Sequence, residues 1–213
     1  MYVKNSGGKI VALALVRAIQ ENRDYLSEID GLIGDGDHGA NMSKGFSMFA
    51  DRMADKDPGI AEAFKLLSRT LMGDIGGSMG PLYGTFFNEM SKKLRDLEHI
   101  SAPEFGVALE AALEGVKSIG GAKIGDKTLV DCLEPAVAAF RQSVEGGADF
   151  REALTALKIA AEIGRDSTKD MVAKLGRSSR LGERSRGVLD AGATSCCILL
   201  CAMADAIDGM LVG

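Results

Sequence analysis

Residues 150–175, FREALTALKIAAEIGRDSTKDMVAKL, decide the fold class of this chain. The apolar and small residues in this stretch recur at gaps of three, four and one, which keeps one helical face apolar over about seven turns. That face carries Phe150, Ala153, Leu154, Leu157, Ala161, Gly164, Thr168, Met171, Val172 and Leu175. The pattern predicts one long amphipathic helix over residues 149–175.

Three other segments show the same helical period, and no segment alternates like a surface strand. Their apolar stripes run from Ile60 to Leu71, from Leu82 to Leu97 and from Phe105 to Val116. Prolines stand where helices would begin, and Gly-Gly pairs stand where they would end. We therefore predict an all-α, single-domain chain over residues 1–213. Its eight helices would cover residues 6–29, 39–54, 58–75, 81–97, 103–119, 128–145, 149–175 and 193–210. Pro135 should kink the helix over residues 128–145.

The charge, the apolar runs and the cysteines of the chain exclude several classes of function. The chain has 213 residues and a formal net charge of −5, which argues against binding nucleic acid through bulk charge. Its longest apolar run, residues 196–204, is much shorter than the roughly 20 residues of a membrane span. Three of the four cysteines fall in that run, which suits buried free thiols in a reducing compartment. We therefore expect a cytoplasmic protein with neither a nucleic acid nor a membrane as partner.

The strongest chemical signal is the segment from residue 30 to residue 41, DGLIGDGDHGAN. Asp30, Asp35 and Asp37 crowd together just before a predicted helix, and crowded carboxylates repel one another unless a cation lies between them. Oxygen ligands suit a hard cation, and the spacing fits a calcium loop poorly because residue 41 is Asn rather than Glu. Mg²⁺ with a phosphate is the predicted ligand, although the three acids also suit turn and capping positions.

Three further polar loops carry weaker signals. They are a glycine-rich turn at residues 76–84, a Gly-Asp-Lys-Thr loop at residues 120–128, and a loop at residues 176–191 that contains four arginines. Each has a plain alternative as an interhelical turn, a helix cap or a solvated loop. Short linkers make consecutive helices antiparallel, so the loops after the first, third, fifth and seventh predicted helices should share one end. This parity predicts one composite Mg-nucleotide site.

The motifs together resemble a known family, the nucleotide-binding L subunits of dihydroxyacetone kinases. The matching segments are GDGDHGANM at 34–42, GPLYGTFF at 80–87, GDKT at 125–128, LGERS at 181–185 and DAGATS at 190–195. The resemblance implies an antiparallel up-and-down barrel of eight helices that holds ADP or ATP at one end. It also implies two Mg²⁺ ions on Asp30, Asp35 and Asp37.

The resemblance further implies which residues contact the nucleotide, and it implies the reaction. The implied contacts are His38, Gly39, Ala40, Asn41, Ser78, Met79, Gly120, Thr128, Leu129, Arg177, Asp190, Ala191 and Gly192. For the His38 side chain, chemistry leaves a phosphate contact and a local hydrogen bond equally open. The family commonly has Ser where Met79 stands, and a thioether cannot donate a hydrogen bond to a phosphate.

The family transfers the γ-phosphoryl group to dihydroxyacetone held covalently on a separate K subunit, and in one branch a phosphotransferase-system protein recharges bound ADP. Arg177 could stabilise the charge that develops during transfer, and no residue is assigned as a general base. Two alternatives remain open at this point. One is a nucleotide-binding regulatory module without transferase activity, and the other is a stand-alone Mg-dependent phosphohydrolase.

Overall fold

The computed structural model describes all 213 residues and is almost entirely helical. The α-helices are α1 (Gly8–Glu21), α2 (Arg23–Ile33), α3 (His38–Met53), α4 (Ile60–Asp74), α5 (Met79–Leu94), α6 (Ala102–Gly120), α7 (Val130–Glu145), α8 (Phe150–Ser167) and α9 (Ala191–Asp208). Short 3₁₀ turns occupy Asn5–Gly7, Thr168–Asp170 and Arg177–Ser185. Two three-residue strands, β1 (Tyr2–Lys4) and β2 (His99–Ser101), pair antiparallel.

The helices form a closed ring around a single core. Each helix from α3 to α9 packs on the next, and α9 returns to pack on α1, which closes the barrel. The interior is one cluster of 51 buried residues that runs from Val3 to Ile207. The all-α barrel predicted above is therefore confirmed. Its two ends are distinct: the open end carries the loops that follow α2, α4, α6 and α8, and the closed end carries β1 and β2.

The prediction of one helix over residues 6–29 was wrong, because two helices meet at Asn22. The Asn22 side-chain amide donates to the carbonyl of Ala18 at 2.9 Å, and its backbone N–H donates to Gln20. An Asn side chain that binds nearby backbone competes with the helical ladder in this way. The ring consequently contains nine α-helices rather than eight, with α1 and α2 following one another along the same wall.

The helix predicted over residues 149–175 ends early, at Ser167. The Ser167 hydroxyl donates to the Gly164 carbonyl at 2.6 Å, and the Thr168 hydroxyl donates to the Arg165 carbonyl at 2.6 Å. These bonds take up carbonyls that the next turn would have used. The last apolar residues of the stripe, from Met171 to Leu175, therefore belong to a loop, which makes the arginine-containing loop longer than predicted.

The small sheet was not predicted. Strands β1 and β2 are three residues long, which is too short to show a period of two in the sequence. Their pairing joins the chain start to the segment before α6, and Tyr2 forms a further bridge to Val212. The sheet therefore covers the closed end of the barrel.

Helix α9 is the most apolar helix in the fold. By length and composition alone it could cross a membrane, and it is the one helix that meets this test. Its apolar sequence is explained by its position, because 61% of its residues are buried against the rest of the fold. Its three cysteines are free thiols, as is Cys132 on α7.

Candidate functional site

The four polar loops converge at the open end, as the parity argument predicted. They line a single cavity of about 640 Å³. The wall combines the loop after α2, the glycine-rich turn before α5, the segment before α7, and the loop before α9. Its lining includes Asp30, Asp35, Asp37, His38, Asn41, Ser78, Met79, Gly120, Thr128, Leu129, Arg177, Asp190, Ala191 and Gly192.

The three aspartates form one cluster on this cavity. Ligand atoms of Asp30, Asp35 and Asp37 all lie within 4.8 Å of one another, and the last two side chains are exposed. Three carboxylates at this separation strongly favour a cation between them, and an all-oxygen donor set suits Mg²⁺. The residues present therefore fit a divalent metal.

Local backbone geometry brings the acids together. Asp30 lies in the last turn of α2, and a Cβ at residue 34 would come within 2.4 Å of its carboxylate, so only glycine leaves room there. Gly36 has a φ of +76°, which lets the chain reverse before α3. Asp37 is the N-cap residue of α3. The glycine spacing read from the sequence is thus what turns the carboxylates toward one point.

Four helices begin at the cavity. These are α3, α5, α7 and α9, and residues from the first turn or N-cap of each line the wall. Helix N-termini present free N–H groups and the positive end of the helix dipole. The α5 N-terminus has no side-chain cap, and in the first turn of α3 only the His38 N–H is bonded by a side chain, the Asp30 carboxylate at 3.3 Å. An anion such as a phosphate is the ligand that this arrangement favours.

His38 is engaged below the cavity surface. Its Nε2 lies 2.9 Å from the Ser195 hydroxyl, which lies 2.6 Å from the Tyr83 hydroxyl. Tyr83 in turn donates to the Gly192 carbonyl at 3.1 Å. Burial lowers the pKa of His38 to about 4, so the ring is neutral at neutral pH. The side chain makes a local hydrogen bond that ties α3 to α9, and the residue also lines the cavity, so a phosphate contact stays a prediction.

Two buried aspartates order the segment before α7. Asp131 accepts hydrogen bonds from the backbone N–H groups of Gly125 and Thr128, and Asp126 accepts one from Lys123. On the other side of the cavity, Asp190 caps α9 by accepting from the Ala193 N–H at 2.7 Å. Burial, more than any other cause, raises the pKa of Asp190 to about 7. The base of the cavity is therefore rigid on both sides.

The arginine-containing loop reaches across the cavity. We define the arginine loop as residues 171–188. The Arg177 guanidinium forms an ion pair with the Asp35 carboxylate, and Leu175 and Gly176 line the wall beside it. Arg180, Arg184 and Arg186 are exposed to solvent. Arg177 is the arginine of this loop that pairs with the acid cluster.

The structure does not bring Gly39 and Ala40 to the cavity. Gly39 faces α2, where a Cβ would meet the Arg23 carbonyl at 1.9 Å, and Ala40 is exposed outside the cavity wall. Both belong to the first turn of α3, whose other face carries His38 and Asn41. Because residues 38–41 are consecutive, the sequence suggested that all four contact the ligand. Consecutive residues of a helix are rotated by about 100°, so their side chains point in different directions.

Met79 begins α5 and lies half-buried against the hydrophobic core. The thioether therefore contributes packing where a hydroxyl would have offered a hydrogen bond. Any side-chain contact to an anion at this turn would come from Ser78, which is exposed.

Several residues of the site were missed as functional by sequence reasoning. Tyr83 and Lys127 lie inside the quoted motifs, and both line the cavity, but nothing in the spacing assigned them a task. Asp131 and Ser195 shape the wall from α7 and α9 and carried no spacing signal. Only their hydrogen bonds to loop backbone or to other helices identify them.

An all-α barrel with a carboxylate cluster and four helix N-termini at one end is built to hold a cation and an anion together. Comparison with known proteins agrees. The DAK2 domain model matches residues 32–205, and the chain belongs to this family. A Listeria innocua protein, the ADP-binding subunit DhaL of PEP-dependent dihydroxyacetone kinase 1, is 42% identical, with 87% of this chain and 88% of that protein aligned. The corresponding Escherichia coli subunit is 41% identical, with 81% and 82% aligned.

The fold also matches solved structures. The dihydroxyacetone kinase of C. freundii in its native form superposes with a TM-score of 0.71 at 25% identity over 93% of this chain. A structure of that kinase with AMP-PNP and Mg²⁺ superposes with a TM-score of 0.67 at 23% identity. The match covers 34% of the native-form kinase chain, so this chain spans about a third of its length.

Proposed function

We propose that this chain is the phosphoryl-donor subunit of a kinase for dihydroxyacetone or a related ketose. One observation carries the proposal: the carboxylate cluster faces a cavity at which four helices begin, so that a cation and a phosphate chain can be bound side by side. The similarity to two ADP-binding subunits supports a nucleotide as the phosphate carrier.

The nucleotide would occupy the open-end cavity. A volume of about 640 Å³ lies within the range usual for small-molecule sites. Its phosphates would face the first turns of α3 and α5, while the α9 N-terminus and Leu129 would contact the rest of the molecule. Gly39 and Ala40 would contribute through their backbone N–H groups, which have no intrahelical acceptor in the first turn of α3, rather than through side chains on the wall.

Asp30, Asp35 and Asp37 would hold magnesium, with two ions expected. Bound Mg²⁺ supplies neutralisation of phosphate charge. The kinase structure that contains AMP-PNP and Mg²⁺ supports this pairing of ligands in a related fold.

The chain's own groups bind and orient rather than exchange protons. Helix N–H groups take phosphate oxygens, and Arg177 sits close enough to the acid cluster to pair with charge that develops on the transferred group. His38 is neutral and bonded to Ser195, so it is not placed as a base. Activation of the acceptor hydroxyl would therefore come from the partner.

The partner would be a K subunit that carries covalently bound dihydroxyacetone. The names of the two relatives, both PEP-dependent, support recharging of bound ADP by a phosphotransferase-system protein. A cytoplasmic location completes the proposal, supported by four free cysteines. The extent of the domain, residues 1–213, is also part of it, since the family model covers residues 32–205.

The test is phosphoryl transfer in a reconstituted system. The chain would be mixed with a K subunit, dihydroxyacetone, Mg²⁺ and either ATP or ADP with a phosphotransferase-system donor. Formation of dihydroxyacetone phosphate with one donor and not the other distinguishes the two branches. Mass spectrometry of the untreated protein shows whether ADP stays bound through purification.

Two results would contradict the proposal. If calorimetry shows nucleotide binding but no ketose is phosphorylated, the chain is a nucleotide-binding regulatory module instead. Steady hydrolysis of ATP in the absence of a K subunit would leave a phosphohydrolase.

A further inference from the structure

Lys127 combines two unusual properties. It is the only non-glycine residue with a positive φ, at +61°, and its side chain is 1% exposed. A left-handed backbone at a lysine is strained, and burying an ammonium group is costly, so the surrounding structure must favour both.

The Lys127 ammonium group is bonded to one segment alone. Its Nζ donates to the carbonyls of Met171 at 3.2 Å, Ser185 at 2.6 Å and Val188 at 2.6 Å. All three acceptors belong to the arginine loop, at its start and near its end. Burial lowers the pKa of Lys127, with the charge of Asp190 opposing this, and three carbonyl acceptors require the three N–H donors of the charged form.

Other contacts of the arginine loop are fewer or more exposed. The Ser185 hydroxyl accepts from the Ala173 N–H at 2.9 Å, which closes the loop on itself. The Lys174–Asp126 ion pair spans 3.4 Å, with Lys174 59% exposed, and exposed pairs of this kind contribute little. A backbone bond from the Lys174 N–H to the Asp126 carbonyl at 3.1 Å also joins the arginine loop to the segment before α7, and the Lys127 ammonium, with three bonds, is the main buried side-chain connection between them.

We propose that Lys127 is a positioning residue that holds the arginine loop across the open end, and thereby places Arg177 beside Asp35. The strained backbone at Lys127 directs the side chain under the loop, and the three carbonyls fix both loop ends to one point. The expected effect of Lys127 on nucleotide retention rests on the function proposed above. Its effect on the position of the arginine loop is independent of that function.

Limited proteolysis tests the loop directly. Trypsin cleaves after arginine, and the arginine loop contains four exposed arginines: Arg177, Arg180, Arg184 and Arg186. In Lys127→Met, cleavage at these sites should rise about tenfold, because cleavage follows the population of the open loop. Lys174→Met is the matched control, since it removes one ammonium from the same region without touching the carbonyl hub, and its cleavage rate should equal that of the wild type.

Nucleotide dissociation provides the second readout. With Mg²⁺ and a fluorescent ADP analogue, Lys127→Met should release nucleotide about tenfold faster with little change in the association rate. Ser185→Ala, which removes the loop's own side-chain bonds and keeps Lys127, should give a smaller rise in both measurements. This variant keeps the test open if Lys127→Met does not fold.

The outcomes are distinguishable. Faster cleavage confined to the arginine loop, at an unchanged far-UV spectrum, supports the inference even if the wild type binds no nucleotide, a result that would contradict only the proposed function. A loop cleavage rate equal to that of Lys174→Met overturns it. So does faster cleavage spread equally over distant sites such as Arg141, because that marks general unfolding.

Discussion

The two ends of the barrel differ in how their helix N-termini are capped. At the closed end, α4, α6 and α8 each have a glutamate in the first turn, and Glu62, Glu104 and Glu152 accept a hydrogen bond from the backbone N–H of the N-cap residue. At the open end, Asp190 caps α9, but α5 has no side-chain cap, and the first N–H of α3 is bonded only to the Asp30 carboxylate at 3.3 Å. The same antiparallel topology thus yields one end that is satisfied internally and one that leaves N–H groups for a ligand.

The carboxylates at the two ends differ in the same sense. At the closed end, hydrogen bonds from the Ser101 hydroxyl and N–H hold the pKa of Glu104 below its usual value. At the open end, burial raises the pKa of Asp190 to about 7 despite its bond from Ala193. Charged caps therefore stabilise the closed end, whereas the open end concentrates acids at an energetic cost, as expected of a ligand site.

The largest expected effect is at the acid cluster. Asp35→Asn removes one of three clustered charges, and nucleotide affinity in the presence of Mg²⁺ should fall at least about 100-fold, because even changes outside a metal's direct ligands cost 10–100-fold. Transfer should be lost while helicity is kept. Calorimetry and circular dichroism measure both, and an unchanged affinity would contradict the metal assignment.

A side-chain cap introduced at the open end should make the N-terminus of α5 resemble the capped helices of the closed end. In Ser78→Asp, a carboxylate at the α5 N-terminus should stabilise the fold by about 0.3–1 kcal/mol and weaken nucleotide binding about tenfold through repulsion of phosphate. Urea unfolding and calorimetry on the same sample provide the two numbers. Tighter binding would show that the phosphates lie elsewhere.

Titration of the Asp190 carboxyl should contribute to the pH dependence of the unfolding free energy. Because its folded pKa, about 7, lies above the unfolded value of 3.8, the folded state holds the extra proton between these values. The stability contributed by this group is full below about pH 4 and is lost as pH rises through about pH 7.

The matched variant for this test is Asp190→Asn, which can keep the cap. The unfolding free energy of the wild type minus that of Asp190→Asn should fall between about pH 4 and about pH 7 and level off above that. A difference that rises over this interval would mean that the Asp190 carboxylate is stabilised as an anion.

The smallest effect is expected at the closed end. Asp149→Ala removes the carboxylate that accepts the Glu152 N–H at 2.9 Å, and should cost about 1 kcal/mol of unfolding free energy. Nucleotide affinity should not change, since α8 begins at the end remote from the cavity. A parallel loss of affinity in calorimetry would show that the two ends are coupled.

Much of the site could be predicted because its residues are close in sequence. Asp30, Asp35 and Asp37 lie within eight residues, and loop parity in an antiparallel ring placed the other loops beside them. Gly39 and Ala40 lie outside the cavity wall because the turn of one helix separates neighbours in sequence onto different faces. The hydrogen bonds of Lys127 cross about 44 to 61 residues of chain, and no local pattern encodes such a partner.

By itself, the sequence determined the helical class, the positions of most helices and the acid-rich loop, because helical periodicity, capping residues and glycine spacing are local properties of the chain. Three features follow from contacts made in the folded chain: the first helix breaks at Asn22, α8 ends at Ser167, and Lys127 bonds to the arginine loop. These outcomes depend on which of several possible hydrogen bonds is formed, and that choice is settled by the packing of segments far apart in sequence.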